Sequence, residues 1–264
     1  MIAVRDVDKS FCIPSVRRDT VREHFLDLFR PRPMSVMSVL NGVTFTVKRG
    51  ESLGIMGRNG CGKSTLLKIL AGIYRQDRGE VAIDGAVTPI LELGVGWSLE
   101  LNAIDNICLV GTVMGLSLDE LRASTREILA FAELERFANL PLKYYSSGMA
   151  TRLAYAVAFR AVRDVLILDE VLAVGDAGFQ ARCERRFQEL RRAGHTIVLV
   201  SHTTRFVEHF TDRALLLEGT RLVLDDSPSR VCAEYSRLLQ EPAPADGGRC
   251  GGGDSVLARH AVVG

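Results

Sequence analysis

A glycine-rich run that ends in a lysine and a serine is the feature of this sequence best suited to chemistry. Between Gly57 and Ser64 the run fits the pattern G-x-x-x-x-G-K-[ST]. Glycines let backbone N–H groups turn inward around a phosphate, and a helix that begins near Lys63 directs its positive end at the same anion. We expect Lys63 to reach the β- and γ-phosphates and the Ser64 hydroxyl to ligate Mg²⁺. The residues predicted to hold the nucleotide here are Gly57, Arg58, Asn59, Gly60, Cys61, Gly62, Lys63, Ser64 and Thr65. The alternative is a glycine-rich turn with a chance Lys-Ser pair.

An apolar strand that ends in two acids supplies the next candidates. The run VLILDE occupies residues 165–170. A buried strand would deliver Asp169 to the Mg²⁺ shell, and Glu170 would then lie one residue further on, where it can polarise a water. An apolar strand followed by Asp-Glu is common and is more often a solvated strand end, but the phosphate loop favours the functional interpretation.

The loop by itself indicates nucleotide binding and little more, because its fold supports kinases, GTPases, helicases and transporter motors. Two further spacings reduce the number of phosphate-loop protein classes that fit the sequence. The run YSSGM begins a helical pattern, and its Ser146 lies 23 residues before Asp169. His202 closes a strand 32 residues after Glu170. Taken alone, YSSGM is an ordinary helix cap, and His202 is an ordinary surface or core histidine.

The elements that must position these residues follow from the hydrophobic pattern. Short runs rich in Val, Ile and Leu alternate with helical patterns, which indicates an α/β fold around a largely parallel sheet. The predicted strands are residues 43–47, 52–56, 165–168, 196–200 and 214–217, and the predicted helices are residues 63–71, 118–136, 147–162 and 177–193. The mostly helical stretch at about 97–162 interrupts the alternation, so we predict a helical subdomain within one domain over 1–240.

Composition excludes several classes of protein. The 264 residues carry 33 Lys+Arg and 32 Asp+Glu, and this balance argues against a nucleic-acid binder. The apolar stretches are far shorter than the ~18 residues of a spanning helix, so the chain is not a transporter by itself. The N-terminal residues lack a secretion signal. Six scattered cysteines without a CxxC pair fit a reducing cytoplasm.

Two stretches stand apart from this pattern. Residues 13–37 form an Arg-rich insertion in which Val21, Phe25 and Leu28 share one helical face. The insertion could lie against lipid phosphates or a permease, or it could pack its apolar face on its own domain. Residues 241–264 are rich in Gly and Pro and predict a flexible tail.

Together these motifs resemble the ATP-binding subunits of ABC transporters, whose signature is usually written LSGGQ. The resemblance covers residues 1 to about 240 and implies a P-loop ATPase domain with a mainly parallel core sheet, an antiparallel β part and a helical subdomain. It implies a homodimer with ATP and Mg²⁺, in which the signature of one subunit contacts the γ-phosphate held by the other. The family roles fall on Ser146, Ser147 and Gly148 (signature), His202 (switch histidine), Asp176 (D-loop acid) and Phe11 (adenine contact). Lys63, Glu170 and His202 are the implied catalytic residues.

The departures from the family pattern indicate a subfamily. The family's Q-loop Gln is absent from LELGVGW, where Glu92 is the nearest polar residue and a candidate metal ligand beside Ser64 and Asp169. This loop, YSSGM and LDEVLAVGDAGFQ resemble the ATPases that export capsular polysaccharide, O-antigen and teichoic acid. The resemblance implies a peripheral subunit on the cytoplasmic face of the bacterial inner membrane. A separate integral-membrane permease would handle the lipid-linked glycan, and no nucleic acid would take part.

Three rival functions stay open at this point. The first is an exporter ATPase for another substrate. The second is a soluble ABC-type ATPase in DNA repair or translation, although most of those carry two cassettes or a long coiled coil. The third is a small-molecule or nucleoside kinase, which would need neither the signature nor the switch histidine.

Overall fold

Two β-sheets frame the fold in a computed structural model, which describes residues 1–14, 34–91, 96–169 and 175–240. The larger sheet has the strand order β5-β6-β7-β3-β8-β9 and is parallel except for the antiparallel edge strand β9. Its strands are β3 (Ser52–Gly57), β5 (Val87–Ile90), β6 (Val165–Asp169), β7 (Thr196–Val200), β8 (Arg213–Glu218) and β9 (Arg221–Asp226). The central strands are buried along nearly their whole length, as expected for a parallel sheet covered on both faces.

The smaller sheet is antiparallel, with the order β2-β1-β4. It consists of β1 (Ile2–Pro14), β2 (Met34–Val47) and β4 (Arg78–Ile83). Its inner side chains pack with helix α1 (Lys63–Leu70) and one face of the parallel sheet in a common core. The helix that starts at the phosphate loop is therefore enclosed between two sheets.

The remaining helices divide between a subdomain and the opposite face of the parallel sheet. The subdomain contains α2 (Ala103–Val113), α3 (Leu118–Ala132) and α4 (Ser147–Arg160), with short 3₁₀ turns at Glu135–Phe137 and Leu142–Tyr144. The sheet face carries α5 (Ala177–Arg192), α6 (Thr204–Phe210) and α7 (Pro228–Gln240). No helix in the described parts of the chain is both long and apolar enough to cross a bilayer.

Helix α4 joins these two units. Leu153 and Val157 on one side of it belong to the core of the helical subdomain. Tyr155 and Phe159 on the other side pack with Phe179 against the parallel sheet. Because every side chain from Leu153 to Phe159 is buried, α4 fixes the subdomain to the sheet by burial on both faces.

The structure confirms the predicted fold class and sharpens several boundaries. Strand β2 begins at Met34, well before residue 43, and pairs with the end of β1, where Ile13 lies opposite Ser35. Both ends of the 13–37 insertion are thus β-structure, and its predicted helical face falls within residues 15–33, outside the described parts. The helix predicted over 118–136 ends at Ala132 because Glu133 adopts a left-handed conformation with φ 59°. The predicted tail, residues 241–264, also lies outside the described parts of the chain.

A buried asparagine fixes the entry to the helical subdomain. Asn106 is fully buried, and its amide oxygen accepts a hydrogen bond from the Ser98 N–H at 2.9 Å. Its amide nitrogen lies 2.9–3.0 Å from the backbone oxygens of Ser98, Leu101 and Asn102. One side chain therefore satisfies polar groups along the whole approach to α2.

Replacing this residue tests that role. We expect Asn106→Asp to lower the free energy of unfolding by about 2–4 kcal/mol, since a carboxylate would face three carbonyl oxygens without a donor to offer them. Urea unfolding followed by circular dichroism measures the change. The matched control is Asn139→Asp on the surface of the same subdomain, and equal stabilities of the two variants would contradict the assignment.

Candidate active site

The site is assembled where neighbouring parallel strands end. In the sheet, Asp169 on β6 lies opposite Val200 on β7, and Val200 lies opposite Ile55 on β3. The phosphate loop starts two residues beyond Ile55, and His202 comes two residues beyond Val200. Because parallel strands deliver their carboxyl ends to one edge of the sheet, three segments distant in sequence meet at this edge.

The glycines of the loop meet two different requirements. At Gly57 (φ 154°) an added Cβ would lie 2.3 Å from the Leu217 carbonyl oxygen, and at Gly62 (φ 96°) it would lie 2.7 Å from the Val39 oxygen. These two positions are closed by the protein's own backbone. At Gly60 (φ 82°) an added Cβ would have no atom of the described residues within 4 Å beyond its two chain neighbours. The backbone there is open to a group that approaches from outside.

Lys63 is buried within the loop that it follows. Its side chain is 7% exposed, and its Nζ donates to the carbonyl oxygens of Gly57 at 2.8 Å and Arg58 at 2.9 Å. Burial lowers the pKa of Lys63, and Cys61 and Asp169 oppose that shift. The ammonium is thus held among oxygen acceptors in a site that favours any additional negative charge beside it.

His202 shares the electrostatics of this cluster. Burial lowers the pKa of the His202 imidazole, the positive charge of Lys63 lowers it further, and Asp169 opposes the shift. The ring is therefore neutral at pH 7, and it offers one N–H donor and one acceptor nitrogen. Its Nδ1 lies 2.9 Å from the hydroxyl of Tyr235 on α7.

The predicted metal ligands fit a magnesium ion. Ser64 is exposed in the first turn of α1, and the carboxylate of Asp169 is half-buried at the end of β6. Mg²⁺ is commonly bound by one or two protein oxygens together with substrate phosphates and water, and a hydroxyl with a carboxylate is such a pair. Glu92 and Glu170 lie outside the described residues, and their roles stay predictions.

Helix α4 begins at the signature loop, which is the name used here for residues Ser146, Ser147 and Gly148. Ser146 is the N-cap, and its Oγ accepts a hydrogen bond from the Met149 N–H at 3.2 Å. All three residues are exposed, and among the described residues beyond its own turn of helix an added Cβ at Gly148 would meet Ser146 Oγ alone, at 3.8 Å. The helix N-terminus is accordingly open to an anion from outside the chain.

An ion-pair network connects the signature helix to the predicted D-loop acid. Arg152 on α4 bonds Glu133 at 2.8 Å and pairs with Asp176, the N-cap of α5. Arg182 on α5 reaches the same Glu133 at 2.6 Å. Both guanidinium groups lie over the ring of Phe179, at 5.5 and 5.9 Å. A hydrogen bond from the Phe179 N–H and the positive charge of Arg152 lower the pKa of Asp176.

Phe11 occupies a different position from the groups above. It is partly buried on β1 with its ring edge-on to Tyr74 at 5.6 Å, and Lys9 lies above it at 5.3 Å. These contacts place it against the edge of the core beside the antiparallel sheet, and its predicted contact with adenine stays a prediction.

Two residues of helix α7 reach the site although the sequence gives no sign of them. The Tyr235 hydroxyl meets His202, and the Leu238 carbonyl accepts a hydrogen bond from the Arg58 guanidinium of the phosphate loop. No motif or spacing marks these positions, because they come close only through the packing of α7 on β3 and β8.

A P-loop ATPase cassette is the class of protein that this fold and this site define. The chain superposes on a dimeric ATP-binding cassette bound to ADP and Pi with a TM-score of 0.68 at 23% identity, over 86% of this chain and 99% of that one. Residues 40–173 match the family model described as ABC transporter. The chain belongs to the ABC transporter family.

Three relatives carry names that match the exporter subfamily that the sequence motifs resemble. It is 39% identical to an O-antigen export system ATP-binding protein of Myxococcus xanthus, over 90% of this chain and 56% of that protein. It is 40% identical to the protein of that name in Klebsiella pneumoniae, over 76% of this chain and 81% of that protein. A teichoic acids export ATP-binding protein of Bacillus cereus is 36% identical, over 81% of this chain and 39% of that protein. The chain therefore spans about half the length of the Myxococcus relative.

The ion-pair network generates a prediction about Arg152. We expect Arg152→Lys to lower the thermal unfolding midpoint by a few degrees, because an ammonium group cannot bond two carboxylates in the planar fork of Arg or stack on Phe179 in the same way. Differential scanning fluorimetry gives the midpoint. The control is Arg122→Lys, whose pair with Asp119 lies at the surface. A midpoint as high as that of the control would contradict the role of Arg152.

Proposed function

We propose that this chain is the ATP-hydrolysing subunit that powers export of a lipid-linked polysaccharide through a separate permease. The observation that carries the proposal is the convergence of Lys63, Asp169 and His202 on a phosphate loop at one edge of the sheet. The names of the relatives, which refer to O-antigen and teichoic acid export, support a cell-surface glycan as the exported substrate.

The phosphate loop and the ends of two strands provide the charges for hydrolysis. The loop N–H groups of residues 57–65 and the ammonium of Lys63 bind the β- and γ-phosphates of ATP, and Asp169 and Ser64 hold Mg²⁺. When bound, Mg²⁺ neutralises negative charge on the phosphates. Glu170 activates the attacking water and His202 orients it with the γ-phosphate. The products are ADP and phosphate.

The signature loop acts on the nucleotide of a second copy. The exposed N-terminus of α4 offers Ser146, Ser147 and the backbone at Gly148 to an anion from outside the chain. Two subunits thus enclose two ATP molecules, with Asp176 at the contact between them. The dimeric neighbour bound to ADP and Pi has the same fold, which supports this arrangement.

The remaining proposals concern Phe11, Glu92, the domain boundaries and the location of the subunit in the cell. Phe11 contacts adenine, and Glu92 takes the metal-side position of the missing Q-loop Gln. Residues 1–240 form the ATP-binding domain, and 241–264 form a tail. The subunit lies peripherally on the cytoplasmic face of the inner membrane. The permease recognises the glycan, and nucleic acid takes no part.

The cross-subunit role of Ser146 can be separated from its role as a helix cap. Ser117 caps α3 in the same way, with the Glu120 N–H bonded to its Oγ at 3.3 Å. We expect Ser146→Ala and Ser117→Ala each to cost about 1 kcal/mol of stability. Only Ser146→Ala should also lower the ATPase rate, by roughly tenfold or more, because it removes a hydrogen bond to a charged phosphate. Equal ATPase rates in the two variants would show that Ser146 is a cap alone.

The export function is tested in cells that lack the gene. We expect deletion to remove the glycan from the cell surface and the wild-type chain to restore it. Glu170→Gln should fail to restore it, with ATP hydrolysis slowed by roughly 10²–10⁴-fold while ATP binding and dimerisation persist. Surface glycan is measured with a specific antibody or lectin, and Glu184→Gln, exposed on α5, serves as the control. Normal export in the deletion strain, or near-wild-type turnover by Glu170→Gln, would contradict the proposal.

A further inference from the structure

Helix α7 crosses the face of the parallel sheet and presents a buried phenol to the candidate active site. Tyr235 is 4% exposed, and its hydroxyl lies 2.9 Å from Nδ1 of His202. The helix is fixed there by the fully buried Val231, which shares a core with Met56 on β3 and Leu216 on β8. The contact between Tyr235 and His202 is thus held by the packing of a complete helix.

The direction of this hydrogen bond follows from the number of protons available. A phenol has one proton, and among the described residues the Tyr235 hydroxyl has His202 as its hydrogen-bond partner and no other. If it accepted a hydrogen bond from an Nδ1–H, its own buried O–H would be left without an acceptor, at a cost of about 1–3 kcal/mol. Donation from Tyr235 to Nδ1 avoids that cost. Burial raises the pKa of Tyr235, so the proton stays on the phenol at neutral pH.

Donation to Nδ1 determines the tautomer of the histidine. A neutral imidazole carries one proton, and when Nδ1 accepts a hydrogen bond that proton must be on Nε2. The ring then presents an N–H donor on the side away from α7. A γ-phosphate oxygen needs a donor, and the other tautomer would present a lone pair to it instead.

The same helix also touches the phosphate loop. Leu238 lies three residues after Tyr235, on the same side of α7, and its carbonyl accepts a hydrogen bond from Arg58. The loop and the histidine are therefore both positioned against one helix, although 144 residues separate Arg58 from His202 in the sequence.

From this geometry we propose that Tyr235 is a positioning residue for ATP hydrolysis: its hydroxyl donates to Nδ1 of His202 and fixes the Nε2–H tautomer that faces the nucleotide. The proposal rests on the function proposed above, in that it takes His202 to contact the γ-phosphate. Tyr235 itself touches neither the nucleotide nor the water.

The test combines histidine NMR with steady-state kinetics on the full-length chain. In protein labelled with ¹⁵N-histidine, assigned by comparison with His202→Gln, we expect a single Nε2–H tautomer at His202 in the wild type. Tyr235→Phe should give a mixture of tautomers. It should also lower kcat roughly three- to tenfold with little change in KM for ATP, which corresponds to the loss of one neutral hydrogen bond.

A matched control distinguishes positioning from packing. Tyr155 is also a buried tyrosine, and its hydroxyl has no hydrogen-bond partner among the described residues. Tyr155→Phe makes the same chemical change and should leave both the tautomer and kcat unaltered. In a His202→Gln background, Tyr235→Phe should lower kcat no further, because there is no imidazole left to orient.

Several results would overturn the proposal. These are an Nδ1–H tautomer in the wild type, an unchanged tautomer in Tyr235→Phe, or an equal loss of kcat in the Tyr155→Phe control. The NMR measurement does not depend on export. If deletion of the gene left surface glycan intact while the tautomer still shifted in Tyr235→Phe, the function would be wrong and the positioning role would stand.

Discussion

The burial of the Lys63 ammonium is the constraint on which the rest of the site depends. A charge that is 7% exposed must be solvated by the protein, and the carbonyl oxygens of Gly57 and Arg58 do this. The loop can turn those oxygens inward only because Gly57 and Gly62 lack the Cβ atoms that would meet the Leu217 and Val39 backbone. Val39 belongs to the antiparallel sheet. That sheet therefore constrains the shape of the phosphate loop directly, and it also shares a hydrophobic core with α1.

Most of the fold and of the phosphate site could be predicted from the sequence because their signals are local. Buried strands appear as continuous apolar runs, and the loop glycines appear as a fixed spacing. The strands β1, β4, β5 and β9 are not among the predicted strands, because they lie at sheet edges or in the small sheet, where the apolar pattern is short, alternating or interrupted by irregular register. The helical pattern in the sequence likewise continues beyond the end of α3, so the predicted helix is too long. The helix ends where Glu133 adopts a left-handed backbone conformation.

The parts of the site that were not predictable share a physical cause. Tyr235, Leu238 and the partners of Arg152 act through contacts between elements far apart in the chain, and a single sequence contains no record of such pairs. Arg152 lies on the helix that follows the signature loop, but its bonds to Glu133 and Asp176 depend on the packing of α3, α4 and α5 around Phe179. Motifs mark the residues that are predicted to touch the nucleotide, and tertiary packing shows which side chains hold those residues in place.

The contacts of Arg152 and the contacts of α7 lie in different parts of the molecule, and this arrangement suits a conformational switch. Arg152 joins the helix that begins at the signature loop to Asp176 and to Glu133 at the end of α3, whereas α7 contacts His202 and Arg58 of the phosphate loop. Helix α4 is buried on both faces and joins the two units, and Phe131 of α3 and Met114 after α2 add further apolar contacts with the sheet-side core. A change in the contacts at the γ-phosphate would then reach each unit through side chains already fixed in place, and it would alter the angle between two packed bodies without unpacking either core.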